Sequence, residues 1–124
     1  MHALILLADN IYLTPYISFY FNVLDKLNID YKIIYWDKNN NEDIKNPRYM
    51  RFSYKYKSKI SKILGYIKFR KSIIDEINRN NYTIVVPLHS ILAFILFDLL
   101  IFNFKKNIYM MFEIIVMKIF PYIG

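Results

Sequence analysis

Residues 84–102 read IVVPLHSILAFILFDLLIF, and the fold depends on whether this run crosses a bilayer or folds back into a core. Its length suits a membrane span. Pro87, His89, Ser90 and above all Asp98 stand against one, because an Asp near the bilayer centre costs about 2.5–3.5 kcal/mol on insertion scales. The β-branched series Thr83, Ile84, Val85 and Val86 suits a buried strand over 83–88. Ser90 then occupies the N-cap of a buried helix over 90–103. Strand plus helix is the preferred reading; the alternative is a small non-enzymatic membrane-associated protein anchored by residues 84–102.

Working outward, residues 3–8 form a continuous apolar run, as expected of a strand covered on both faces. Thr14 and Pro15 open a helix that carries Ile17, Phe21, Leu24 and either Leu27 or Asn28 at helical spacing. A second strand covers 31–36, completing a β-α-β unit with parallel strands and a right-handed crossover. Residues 37–46 (DKNNNEDIKN) are a polar loop with Ile44 as the one core-forming residue, and 48–56 read as a short edge strand or irregular chain. A long helix is expected over 58–79, with Ile60, Ile63, Leu64 and Ile67 on one face and the stripe resuming at Ile74 and Ile77. Lys71 on that face and Gly65 in the middle admit a kink or break near Phe69. After the 84–102 run come a basic turn, Lys105-Lys106-Asn107, and a strand over 108–112. The order indicates an α/β fold: a Rossmann-like, doubly wound parallel sheet flanked by helices, over 1–112. The apolar tail 113–124 is expected to start a truncated continuation.

The composition narrows the function classes. At 124 residues there is room for one domain, and 56% hydrophobic residues exclude a disordered chain. Zero Cys removes disulfide scaffolds, zinc fingers and thiol nucleophiles; 2 Gly leave no glycine-rich phosphate loop. No G-x-G-x-x-G, P-loop, H-E-x-x-H or G-x-S-x-G occurs, so no cofactor and no metal are expected. The opening residues carry no basic leader, which makes a cytoplasmic protein the expectation. The formal charge of +7 and pI near 9.5 favour anionic partners. Ile, Asn, Lys and Tyr also abound under an A/T-rich coding bias, so charge alone decides little.

In open parallel sheets, ligands bind beyond the carboxyl ends of the strands. That rule selects Asp9 and Asn10 after the first strand, Asp37 and Lys38 after the second, and His89 and Ser90 after the 83–88 strand. Asp9, Asn10 and Ser90 are candidate acceptor-binding residues, although such residues also cap helices and shape turns. His89 is the candidate catalytic residue, as base, acid or hydrogen-bond donor. His2 lies at the opposite sheet end and is discounted, and Asp98 is expected to face solvent. Between Arg48 and Lys71 there is no acid; Arg51, Lys55, Lys57, Lys59, Lys62, Lys68 and Arg70 alternate with aromatic residues. Such a stretch suits an anionic membrane surface, for which Lys55, Lys57, Lys59, Lys62 and Arg70 are the candidate contacts. Single-stranded nucleic acid would use similar chemistry, but no RNP, KH or helix-turn-helix signature accompanies it, and no nucleic-acid partner is expected.

The blocks LILLADNIYLTPYISFYFNVL, NIDYKIIYWDK, KILGYIKFRKSIIDEI and NNYTIVVPLHSILAFILFDLL resemble, in that order, the N-terminal half of bacterial GT-B glycosyltransferases of capsular and exopolysaccharide biosynthesis, over residues 3–110. The resemblance implies a Rossmann-like acceptor-side domain, peripheral at the inner face of the cell membrane, acting on a lipid-linked glycan. In that family a C-terminal domain binds the nucleotide-sugar with two glutamates seven residues apart. Glu42, Glu76 and Glu113 do not have that spacing, so the nucleotide-sugar would be reached only through a missing C-terminal domain, and the chain alone is expected to be inactive. A histidine near the ligand edge often contributes in such domains, and His89 is the match. From Met110 the chain (MMFEIIVMKIFPYIG) departs from the acidic-Arg segment of the family, as in a fragment or frameshifted remnant.

Overall fold

The structure is a computed structural model that describes residues 2–88, 92 and 109–110. Strand β1 is His2–Leu7, a 3-10 turn spans Ile11–Leu13, and helix α1 is Ile17–Lys26. Strands β2 (Asp30–Trp36) and β3 (Tyr49–Phe52), helix α2 (Lys59–Arg79) and strands β4 (Ile84–Pro87) and β5 (Tyr109–Met110) follow. The sheet order is β3-β2-β1-β4-β5, and every described pairing is parallel. This is the α/β Rossmann-like arrangement that the apolar runs indicate.

The pleat of β1 divides the core. Ala3, Ile5 and Leu7 point to one face, where Ile17, Tyr20 and Leu24 of α1 join Ile33, Tyr35 and Val86. Leu4, Leu6 and Ala8 point to the other, where Phe69, Ile73 and Ile77 of α2 join Trp36, Val85 and Leu92. Among the described residues α1 covers one face and α2 the other, and β1 is buried on both, which is why its sequence is so apolar.

Residues Ile84–Pro87 form β4, in register with β1 from Ala3↔Ile84 to Leu6↔Pro87. The 84–102 run is thus not one transmembrane helix, and no helix among the described residues is long and apolar enough to cross a membrane. The expected helix over 90–103, Asp98, the basic turn and the tail 113–124 lie outside the described residues.

Helix α1 starts later than Thr14-Pro15 suggest. The Thr14 hydroxyl turns back to donate to the Asn10 carbonyl oxygen at 3.2 Å, so it closes the 3-10 turn and does not cap α1. At the other end Asn28 takes φ 54, and Ile29 N–H reaches the Leu24 carbonyl at 2.9 Å, a Schellman closure. Leu27 is left exposed there.

Helix α2 is unbroken across its 21 residues and begins with a capping box between Ser58 and Ser61. No kink occurs at Gly65. A Cβ at that position would lie 2.7 Å from ring atoms of both Trp36 and Tyr54, so glycine is what lets the helix approach the sheet. The expected core stripe is the larger correction. Ile60 (73% exposed), Ile63 (60%), Leu64 (48%) and Ile67 (57%) face away from the sheet. Gly65, Phe69, Ile73, Glu76 and Ile77 face it instead. Aromatic rings of Trp36, Tyr54, Tyr66 and Phe69 fill the space beneath α2, which displaces the aliphatic stripe outward.

Candidate functional site

The carboxyl ends of β1, β2 and β3 share one edge, and two polar clusters occupy it. The first is built around Asp37, which is fully buried at the end of β2. Its carboxylate accepts from Asn10 Nδ2 at 2.6 Å, Arg51 Nε at 2.8 Å, and the backbone N–H groups of Asn41 (3.1 Å) and Glu42 (2.9 Å). Burial alone would raise its pKa, but the N–H of Glu42, the amide of Asn10 and the guanidinium of Arg51 outweigh it and bring the group down to about 2. Glu42 in turn accepts from the N–H groups of Ile11 (2.6 Å) and Tyr12 (2.9 Å), which start the 3-10 turn. Tyr35 Oη donates to the Glu42 carbonyl at 2.7 Å and accepts from Ile44 N–H at 3.2 Å. The polar loop 37–46 is therefore pinned over the end of β1 by this set of hydrogen bonds, the one between Asn10 and Asp37 being buried.

This cluster places Asn10 inside the protein. Its amide donates to Asp37 and, at 3.3 Å, to Glu42, while its oxygen accepts from Asn39 N–H at 3.3 Å. In the described structure the side chain works as a brace between β1 and β2. Asp9, the neighbouring candidate, is half-buried, and one carboxylate oxygen accepts from Asn10 N–H at 2.8 Å.

The second cluster lies on the α2 side of the same edge. Lys38 is half-buried, with its ammonium 4.8 Å from the Trp36 ring centroid and 5.4 Å from that of Tyr66, and donates to Tyr66 Oη at 3.4 Å. Burial lowers its pKa from the usual lysine value, and the charge of Asp9 works in the opposite direction. Lys62 adds a second positive charge near Lys38, and its ammonium lies 5.6 Å from the Tyr56 ring centroid. Burial also raises the Tyr66 hydroxyl. Lys38, Tyr56, Lys62 and Tyr66 thus form a basic, aromatic wall beside Asp9. Such a wall recognises an anion through charge and an apolar or sugar ring through stacking.

The predicted site residues divide accordingly. Asp9 and Asn10 lie at the shared edge, whereas His89 and Ser90 fall outside the described residues. Lys55, Lys57, Lys59 and Lys62 are exposed and Arg70 is half-buried. Lys62, two residues from Ile60 and so about 200° round the helix, turns from the outer stripe towards Lys38. Sequence reasoning reached the end of β2 but not the partnership of Lys38 with Tyr66, because residues 28 positions apart meet only once α2 has crossed back over the sheet.

At the opposite edge, buried Glu76 accepts from Tyr82 Oη at 2.8 Å and from Asn80 Nδ2. Burial, then the Glu76 carboxylate, raises the Tyr82 hydroxyl far above its ordinary range. His2 packs on the Tyr82 ring at 4.6 Å between centroids, and burial lowers its pKa. This group joins α2 to the start of β4.

No family model matches the chain, and no curated protein or solved structure is significantly similar to it. The resemblance to GT-B glycosyltransferases rests on its sequence blocks alone.

Proposed function

We propose that the chain is the acceptor-side, Rossmann-like half of a glycosyltransferase that moves a sugar from a nucleotide-sugar to a lipid-linked glycan in capsular or exopolysaccharide biosynthesis, at the inner face of the cell membrane. The observation that carries this reading is the basic, aromatic wall of Lys38, Tyr66, Tyr56 and Lys62 beside Asp9 at the carboxyl edge of a parallel sheet. An ammonium held over aromatic rings fits the phosphate of a lipid-linked acceptor, and the neighbouring rings offer faces for its sugar.

On this reading Asp9 and Ser90 contact the acceptor, buried Asn10 braces the edge from within, and His89 serves as the base for the acceptor hydroxyl. The donor half is contributed by residues other than those described. The domain's part is to hold the acceptor hydroxyl against the anomeric carbon, where positioning supplies much of the rate.

The test is binding of a short-chain prenyl-pyrophosphate-linked saccharide to the purified chain. Saturable binding that weakens about tenfold in Lys38→Ala is expected, the loss of one charge-assisted contact. No binding, or equal binding by both proteins, would contradict the proposal. The chain alone is expected to release no nucleotide from a nucleotide-sugar; measurable turnover would show that the donor half is not needed.

A further inference from the structure

Helix α2 is apolar on two opposite faces from its start to its midpoint. Gly65 and Phe69 pack on the sheet, while Ile60, Ile63, Leu64 and Ile67 project outward at i, i+3, i+4 and i+7, each between 48% and 73% exposed. A contiguous aliphatic stripe on the outer surface is a feature that core packing does not explain.

The surrounding charge selects its partner. From Ile44 to Ile74 the chain contains no Asp or Glu. Lys57 and Lys59 lie exposed at the start of the stripe. Lys68 lies one turn beyond Leu64, and Lys71 one turn beyond Ile67 on the stripe's own axis; both are exposed. Lys68 also packs its ammonium 4.9 Å from the Tyr54 ring centroid, so its stem lies along the helix flank. A second copy of this face would bring like charges together, which disfavours self-association. An aliphatic stripe rimmed by lysines is the composition of a helix that lies in the plane of an anionic bilayer, with apolar side chains in the acyl boundary and ammonium groups at the phosphates.

We infer that the outer face of α2, through Ile60, Ile63, Leu64 and Ile67 with Lys57, Lys59 and Lys71, docks on an anionic lipid surface. The helix begins beside the carboxyl edge of the sheet, where Tyr66 meets Lys38, so docking brings that edge close to the headgroups. The inference deepens the proposed membrane location, yet it stands on surface chemistry and is independent of sugar transfer.

The experiment is flotation of the full chain with vesicles of phosphatidylglycerol and phosphatidylcholine in equal parts, and with phosphatidylcholine alone. The expected result is flotation with the mixed vesicles only, reversed by high salt. The triple variant Ile60→Ser, Ile63→Ser, Ile67→Ser should bind at least about tenfold more weakly while keeping its circular dichroism, and Leu27→Ser, exposed on α1, should bind as the parent does. Failure to float, equal flotation of the triple variant, or a dimer that the triple variant abolishes would each overturn the inference. Binding of the soluble saccharide by the triple variant separates the two readings: it persists if the lipid contact and the acceptor site are distinct, whatever the vesicle result.

Discussion

Helix α2 contains two stretches of comparable apolar content that meet opposite environments. Its second half sends Phe69, Ile73 and Ile77 into the core, where Phe69 and Ile73 are fully buried. Its first half sends Ile60, Ile63, Leu64 and Ile67 into solvent and gives the sheet Gly65 and Tyr66 instead. The difference lies in what stands opposite. Beneath the first half Trp36, Tyr54 and Tyr56 already fill the space, and only a residue without a side chain fits between them and the helix axis. Helical periodicity identifies an apolar face but not the side on which its cover lies.

The contrast can be broken by truncation. Phe69→Ala should cost about 3–5 kcal/mol in urea unfolding, as buried aromatic truncations do. Ile63→Ala, on the same helix, should change stability by no more than about 0.5 kcal/mol. Equal losses at both sites would mean that the outer stripe is covered in the folded chain.

Asp37 supplies the next largest effect, and it is pH-dependent. Its folded pKa, about 2, lies below the usual 3.8, so its ionised form stabilises the fold above pH 3.8. That contribution, about 2 kcal/mol, is lost as pH falls from about 5 towards 2. Asp37→Asn should lower stability at pH 7 by about that amount and flatten the acid limb of a stability–pH curve. An unchanged limb would place the ionised hub elsewhere.

Gly65→Ala gives a smaller change. Overpacking against Trp36 and Tyr54 costs about 1–3 kcal/mol, while the gain in helix propensity returns up to about 1 kcal/mol. A net loss near 1 kcal/mol is expected in the same unfolding assay; a stabilised variant would show that the close approach is not needed.

Much of the architecture was legible because burial on both faces leaves a simple mark. The uniform apolarity of 3–8, the largely apolar stretch 31–36 and the β-branched start of 83–88 mark parallel strands close to their observed limits. The start of α1 is not legible in the sequence, because the Thr14 hydroxyl has two available partners and only the folded loop shows that it takes the Asn10 carbonyl. The site was legible as an edge, not as a set of contacts. Asn10, Asp37, Glu42 and Arg51 come from four separate segments, and no spacing rule announces that Asp37 collects them. The pairing of Lys38 with Tyr66 is hidden for the same reason.

The central claim, that the first half of α2 faces lipid, has a direct test in a chain with no cysteine of its own. A polarity-sensitive dye is attached to Ile63→Cys and, separately, to Lys26→Cys on the exposed surface of α1, and its emission is read with anionic vesicles carrying a lipid-borne quencher. The account predicts a blue shift and quenching at position 63 with neither at position 26. An unshifted, unquenched dye at position 63 while the vesicles bind the protein would contradict it.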